Sequence, residues 1–409
     1  MLTGKIMKLL TWLIFACALA FLTMACFFSS GCTDAPISTT TTTSASTTTT
    51  GTGTTTTVTF SSSTSTVTIG GHGTIEVQNV AYTGNVIGNT FCSIVADKLT
   101  PGRVHMSFYN LADQDLCYIV GSIGSWAATV IVDNIGDVGK YTSIALDSND
   151  RPHISYYAGR DGSLHHAYYT GTSWTTETVD DPTDADVGYF SSLALDSSDK
   201  AYIAYYDWTN RTLKYATNKT GSWQTGSIEG TGYGKYCYIG LDTNGFAHIS
   251  YLDENAGNLR YATNKSGSWA KETIDLSTPV GLSTSLVVDR NNTVHITYYD
   301  STNKKLRYAY GTLGSWTWQY INDLSGDDIG NQNSIAVDSN NEPNISYYDT
   351  TRGTLKYAFR TLGITWTIAT LDNSANVGQD CHIALDSSNK VHIAYYDATN
   401  FLLKYAGEK

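Results

Sequence analysis

Three residue types able to do chemistry recur at matched places along the chain. A histidine stands at positions 105, 153, 248, 295 and 392, with Tyr202 and Asn344 at two further matching places. An aspartate closes the tyrosine-rich run that each histidine opens, as in HITYYD at His295–Asp300. These aspartates are Asp207, Asp253, Asp300, Asp349 and Asp397, with Asn110 and Ala158 in the remaining two places. Five carboxylates beside tyrosines would suit a hydroxyl-rich or cationic ligand. The plainer reading is an Asx cap on each turn, the carboxylate accepting backbone amides two or three residues on. Departures from the pattern carry more weight for a private site, because specificity needs asymmetry. His165 and His166 interrupt one copy near Arg160 and Asp161, Trp208 stands alone after Asp207, and Tyr233 and His382 are similarly unmatched. Arg160, His165 and Trp208 are therefore candidate ligand contacts along with the five aspartates. No Cys/His spacing of the zinc type occurs, so neither a metal nor a cofactor is expected.

Those residues are positioned by one repeated unit. Its clearest copy is SLVVDRNNTVHITYYDSTNKKLRYAYGTLGSWTWQYIND, Ser285–Asp323. Indexed on the aspartate that closes the first run, the copies fall at Asp97, Asp147, Asp196, Asp242, Asp289, Asp338 and Asp386, separated by 50, 49, 46, 47, 49 and 48 residues. A period of this size, with four short β-branched and aromatic runs per copy, reads as a propeller blade. The strands are a (SIALD, Ser143–Asp147), b (HISYY, His153–Tyr157), c (LKYA or LRYA, as at Leu213 and Leu306) and d, opened by Trp126, Trp174, Trp223, Trp269, Trp316 or Trp366. The last copy ends after its strand c, and TIEVQN at Thr74–Asn79 matches the missing strand d. The fold expected is all-β: a seven-bladed β-propeller of four-stranded blades, closed by an N-terminal strand completing the last blade.

On such a ring the five histidines cannot converge and are expected to pack between sheets, as are the strand-d tryptophans. Glycines before strand a (Gly139, Gly188, Gly234, Gly281, Gly330, Gly378) are expected to hold a backbone angle other residues resist. A ring of small polar residues, Cys92, Thr142, Ser191, Cys237, Thr284, Asn333 and Cys381, should lie near the channel mouth. Cys92 and Cys381 fall in adjacent blades, and a disulfide between them is an option for geometry to decide.

The unit IALDSSNKVHIAYYD (Ile383–Asp397) resembles bacterial seven-bladed propeller repeats of the NHL-like and surface-protein type. The order in TYYDSTNKKLRYAYGTLGSW (Thr297–Trp316) is similar to that of fucose-binding propeller lectins. Those lectins hold fucose with an Arg and a Glu, where this chain has His or Tyr and then Lys or Arg. The resemblance therefore implies a fold and a glycan-binding tendency, and not that sugar-holding pair. Sialidases and propeller polysaccharide lyases supply the enzyme alternative. The uniformity of the blades and the spread of the arginines lean against it.

Ahead of the repeats, Lys5 and Lys8 precede an apolar run from Leu9 to about Phe28, a secretory pattern. SSGC at Ser29–Cys32 resembles a lipoprotein signal with Cys32 as the lipidated residue; TMAC ending at Cys26, an uncleaved anchor, or simple secretion are the alternatives. Residues 1–32 thus read as the signal, 33–68 as a Thr/Ser-rich disordered tether, and 69–409 as the propeller. A formal charge of −12 argues against nucleic acid as a partner. The expectation is a membrane-tethered, extracytoplasmic, non-enzymatic protein binding glycan or protein on its loop face. An assembly scaffold or a carbohydrate-active enzyme are the alternatives. The sequence leaves oligomeric state open.

Overall fold

Alternating β-branched and aromatic runs bounded by Asp, Asn and Gly turns become strands throughout the computed structural model, which describes residues 38–43, 63–70, 72–80, 91–277, 279–321, 326–361 and 365–409. Seven antiparallel sheets result, each ordered a–b–c–d. Strands a are Cys92–Ala96, Val138–Leu146, Val187–Leu195, Tyr233–Leu241, Val280–Val288, Ile329–Val337 and Val377–Leu385. Each strand a touches strand a of both neighbouring blades, so the seven form a closed inner ring around a channel. Every residue of strand b is buried in blades 3 to 7, for example Ala201–Asp207 and Val391–Asp397, because sheets pack on both of its faces. The outermost strand d is far more exposed, as at Gln224–Ser227.

The apolar cores lie between blades. Leu259 and Tyr261 of blade 4 pack with Val280, Leu286, Val294 and Ile296 of blade 5, and equivalent clusters recur at the other junctions. Strand-d tryptophans cross the same junctions: Trp174 meets Tyr118 edge-on at 5.1 Å, and Trp316 meets Tyr261 at 5.0 Å. The glycines before strand a are close-approach points. Gly234 has φ +119°, and a Cβ there would lie 2.7 Å from the Cα of Leu213; Gly378 repeats this against Leu355. Both the left-handed angle and the contact exclude larger residues.

Closure follows the expected arithmetic. Thr74–Asn79 pairs antiparallel with Leu402–Glu408, from Ile75 opposite Glu408 to Asn79 opposite Lys404. The sheet then continues past the expected boundary: Ser63–Thr68 pairs with Thr74–Asn79, and Ser38–Thr43 pairs with Ser63–Thr68. Part of the segment read as a tether, 33–68, is therefore strand. Val67 and Ile69, both buried, supply the apolar contacts that the Thr/Ser composition hid. The signal segment, including Cys26 and Cys32, lies outside the described residues. Among the described residues no helix is long and apolar enough to cross a membrane.

Cys92 and Cys381 are buried free thiols, not a disulfide. Cys92 Sγ donates instead to the Asp380 carbonyl at 3.0 Å.

Candidate functional site

The loops joining b to c and d to the next a share one face, stitched together by backbone bonds such as Trp208 N to Asp186 O (2.8 Å) and Glu254 N to Gly232 O (2.8 Å). The five loop aspartates stand on this face but turn inward. Asp207 Oδ1 accepts Asn210 N at 2.8 Å and its Oδ2 accepts Asn210 Nδ2 at 2.9 Å; Asp300 with Asn303 and Asp397 with Asn400 repeat the arrangement. Asp253 caps Asn255 and Ala256, and Asp349 caps Arg352. All five are buried. They are hairpin caps, and the expected acidic ring does not form from them. The Asp-x-x-Asn spacing in three of the turns already carried this signal.

The strand-b histidines also have structural partners. His105, His248, His295 and His392 place Nδ1 within 2.5–2.6 Å of the hydroxyls of Tyr118, Tyr261, Tyr308 and Tyr405, with Nε2 facing the indexing aspartate. Asn344 accepts from Tyr357 in the same way, and His153 pairs with His166 at 3.1 Å. Burial holds the His105 and His153 imidazoles down at about 4, so they are neutral.

A second repeated constellation was not anticipated. At most junctions the carboxylate ending strand d meets a tyrosine of strand b and a cation of strand c from the next blade. Asp372 takes Tyr395 at 2.7 Å and Lys404 at 2.5 Å; Asp275 takes Tyr298 at 2.8 Å and Arg307 at 2.5 Å. Asp180 with Tyr205 and Lys214, and Glu229 with Tyr251 and Arg260, are equivalent. Lys214, Arg260, Arg307 and Lys404 of strand c are thus occupied between blades. Where blade 7 meets blade 1, the corresponding residues are Asn79, Phe108 and Cys117, so all three members change together. That joint change is readable in the sequence once the blades are aligned.

At the junction of blades 1 and 2 the cation is replaced by His165. It is buried, bonded to Ser163 at 2.9 Å, and does not reach the loop face as a ligand contact. Arg160 is exposed and partly tied down, its Nη1 donating to Ile135 O at 2.7 Å and its Nε to Asp161 at 2.9 Å. Trp208 is different. It is 47% exposed, stacked on Tyr189 at 5.0 Å and edge-on to Tyr206 at 6.1 Å. Lys235 Nζ lies 4.8 Å from its ring centroid and pairs with Glu254 at 2.9 Å. Glu254 also accepts Tyr206 Oη at 2.5 Å, and Asp186 accepts Tyr157 at 2.8 Å and Tyr189 at 3.1 Å. Burial works to raise the Glu254 carboxyl, but Tyr206, Lys235 and Arg211 together hold it below its ordinary value. Tyr189, Lys235 and Glu254 complete a patch of which the sequence identified only Trp208. The structure does not bring Trp208 into contact with His165 or Arg160.

The small polar ring from Cys92 to Cys381 lines the channel, as expected, around a cavity of about 150 Å³. Thr142 donates to Ser107 at 2.7 Å and Thr284 to Tyr236 O at 2.6 Å, so much of this ring is engaged in holding strands a.

No protein-family model matches the chain, and no curated protein does. Solved structures are similar in fold. A mutant of the Aleuria aurantia lectin in complex with alpha-methyl-L-fucoside superposes with TM-score 0.51 and 15% identity, covering 71% of this chain and 98% of that one. AofleA from Arthrobotrys oligospora gives TM-score 0.51 at 13% identity, covering 74% and 90%. The Aleuria aurantia lectin is described as a six-bladed propeller with a fucose recognition mode, whereas this chain closes with seven blades. The polysaccharide lyase Uly1 superposes with TM-score 0.48 at 11% identity, covering 80% of this chain and 91% of that one. At these identities the likeness establishes the β-propeller fold alone.

Proposed function

We propose that this propeller is a non-enzymatic glycan-binding protein that reads its ligand on the loop face of blades 2 to 4. The observation that carries the reading is the half-exposed Trp208, ringed by Tyr189, Tyr206, Lys235 and Glu254. An aromatic platform meets the C–H face of a pyranose, while adjacent carboxylate and ammonium groups exchange hydrogen bonds with its hydroxyls. The similarity to lectin folds supports the same class of ligand. The repeated inner constellations are consumed in joining blades, which leaves the patch to provide selectivity.

A glycan array probed with the full-length protein tests this. The expected result is a discrete set of bound glycans whose signal falls at least tenfold in Trp208→Ala. A signal unchanged by that substitution refutes the site, no bound glycan favours the scaffold alternative, and product formation from a bound polysaccharide favours an enzyme. We further propose export and tethering through a lipid on Cys32, supported by the basic and apolar pattern of residues 5–28 and by SSGC. Labelling with radioactive palmitate should mark the wild type and spare Cys32→Ala; an unlabelled wild type ends the lipoprotein reading.

A further inference from the structure

The neck of the channel breaks the sevenfold symmetry. In strand a, the register slips where the chain leaves the glycine, for example between Tyr189 and Ser192 and between Gln379 and His382. At this bulge Tyr141, Phe190, Tyr236, Ser283 and Asp380 adopt φ values of 52°, 53°, 54°, 49° and 51°. Bulky residues are strained in this left-handed region, and such bulges re-aim side chains near functional sites. Here they line the cavity. On blades 1 to 4 the side chains form an unbroken aromatic arc: Phe91 to Tyr141 at 4.2 Å, Tyr141 to Phe190 at 4.9 Å, Phe190 to Tyr236 at 4.7 Å. Ser283, Gln332 and Asp380 complete the ring on blades 5 to 7.

Among the described residues, Asp380 is the only carboxylate lining the cavity, and no lysine or arginine lines it. Among the described residues no donor bonds its side chain, although its backbone N–H is held by Gln332 Oε1 at 2.9 Å. The other titratable groups lining the cavity are His382 on the same strand, the thiols of Cys92, Cys237 and Cys381, and the phenols of Tyr141, Tyr236 and Tyr238. Burial drives the imidazole of His382 down to about 4 and the thiol of Cys381 up to about 12, so both are neutral near pH 7. None of these groups supplies a counter-charge.

From this geometry we propose that the channel neck is a binding site for a small organic cation, an ammonium or quaternary ammonium group held between the aromatic arc and the Asp380 carboxylate. Aromatic faces attract such cations, and the carboxylate neutralises the charge. An anion would face that carboxylate without a basic partner, whereas a cation supplies the counter-charge that none of the lining groups provides. The volume of about 150 Å³ accommodates a small organic cation. This site is separate from the loop-face patch and independent of the glycan reading.

Isothermal titration calorimetry of the full-length protein with tetramethylammonium chloride, at constant ionic strength set with sodium chloride, tests it. Saturable binding is expected, weakened at least tenfold by Asp380→Asn and also weakened by Phe190→Leu. Both variants are checked for a wild-type circular dichroism spectrum. No heat with tetramethylammonium overturns the proposal, as does equal affinity in Asp380→Asn. Because the loop face is probed with glycans and the neck with a simple cation, either reading can fail alone.

Discussion

Asp380→Asn should stabilise the protein in a pH-dependent way. Burial in the channel neck raises the Asp380 carboxyl to about 7, from an ordinary value of 3.8. Between those values the folded protein holds a proton that the unfolded chain has released. Stability contributed by this group is therefore complete at acid pH and is lost as pH rises through about 7. A full shift of this size corresponds to about 4 kcal/mol, at ~1.36 kcal/mol per unit. The residue borders an open channel, so water reduces the loss, and an effect of about 1–4 kcal/mol is expected. Asparagine keeps the shape and removes the titration. The variant should match the wild type near pH 3.5, below the unfolded-chain value, and melt roughly 2–8 °C higher at pH 8, at ~2 °C per kcal/mol for a domain of this size. Melting curves at one scan rate across that range give the comparison, and the difference between the two proteins cancels every other titrating group. A difference that stays constant from pH 3.5 to 8 would refute the reasoning. A group that lowers stability at neutral pH yet sits at the neck is also what a ligand site requires.

Other outcomes follow from the constellations between blades. Lys404→Cys alone strands the buried Asp372 carboxylate and should lower stability by about 3–5 kcal/mol. Combining it with Asp372→Asn and Tyr395→Phe copies the blade 7–blade 1 junction and should recover most of that loss in a thermal melt. His105→Asn follows the precedent of Asn344 bonded to Tyr357 and should leave stability near pH 7.5 little changed. The His105 imidazole is held at about 4 in the fold, so the unfolded chain binds more protons below about 6.5 and stability falls as pH drops from there toward 4. The Asn variant should therefore lose less of its melting temperature between pH 7 and 5 than the wild type. Iodoacetamide should leave Cys92, Cys117, Cys237 and Cys381 unmodified in the folded protein and label all four after unfolding, as read by mass spectrometry.

The blade count, the four strands and the closing strand were legible because each recurs at a fixed offset from an indexing aspartate, and because the last copy lacks what Thr74–Asn79 supplies. The constellation of Asp372, Tyr395 and Lys404 was not. Its members lie in different strands of two blades, and nothing in a linear reading links the end of one unit to the middle of the next. The five loop aspartates show the converse difficulty. Recurrence alone is equally consistent with a cap and with a ring of ligands, and their burial and their bonds to the turn amides decide it. His165 looked chemical because it broke the pattern, yet it fills a cation's place between sheets. Ser63–Thr68 was hidden by composition, since a lone Val67 in a Thr/Ser run does not register as a strand until an open sheet edge is there to receive it.

Asymmetry in this molecule is concentrated on one side of the ring. The aromatic arc of the neck runs through blades 1 to 4, and the exposed patch occupies blades 2 to 4. The two are joined by ring contacts: Tyr141 to Tyr189 at 5.2 Å, Tyr141 to Tyr157 at 6.3 Å, and Phe190 to Tyr206 at 6.2 Å. Blades 5 to 7 carry Ser283, Gln332 and Asp380 in the neck, and Leu282, Asn331 and Gln379 where blades 2 to 4 carry Lys140, Tyr189 and Lys235. A purely structural ring would gain nothing from such a division, because every blade meets the same neighbours. The shared junction chemistry accounts for the fold, and the one-sided aromatic system it holds in place is what a binding function has to use.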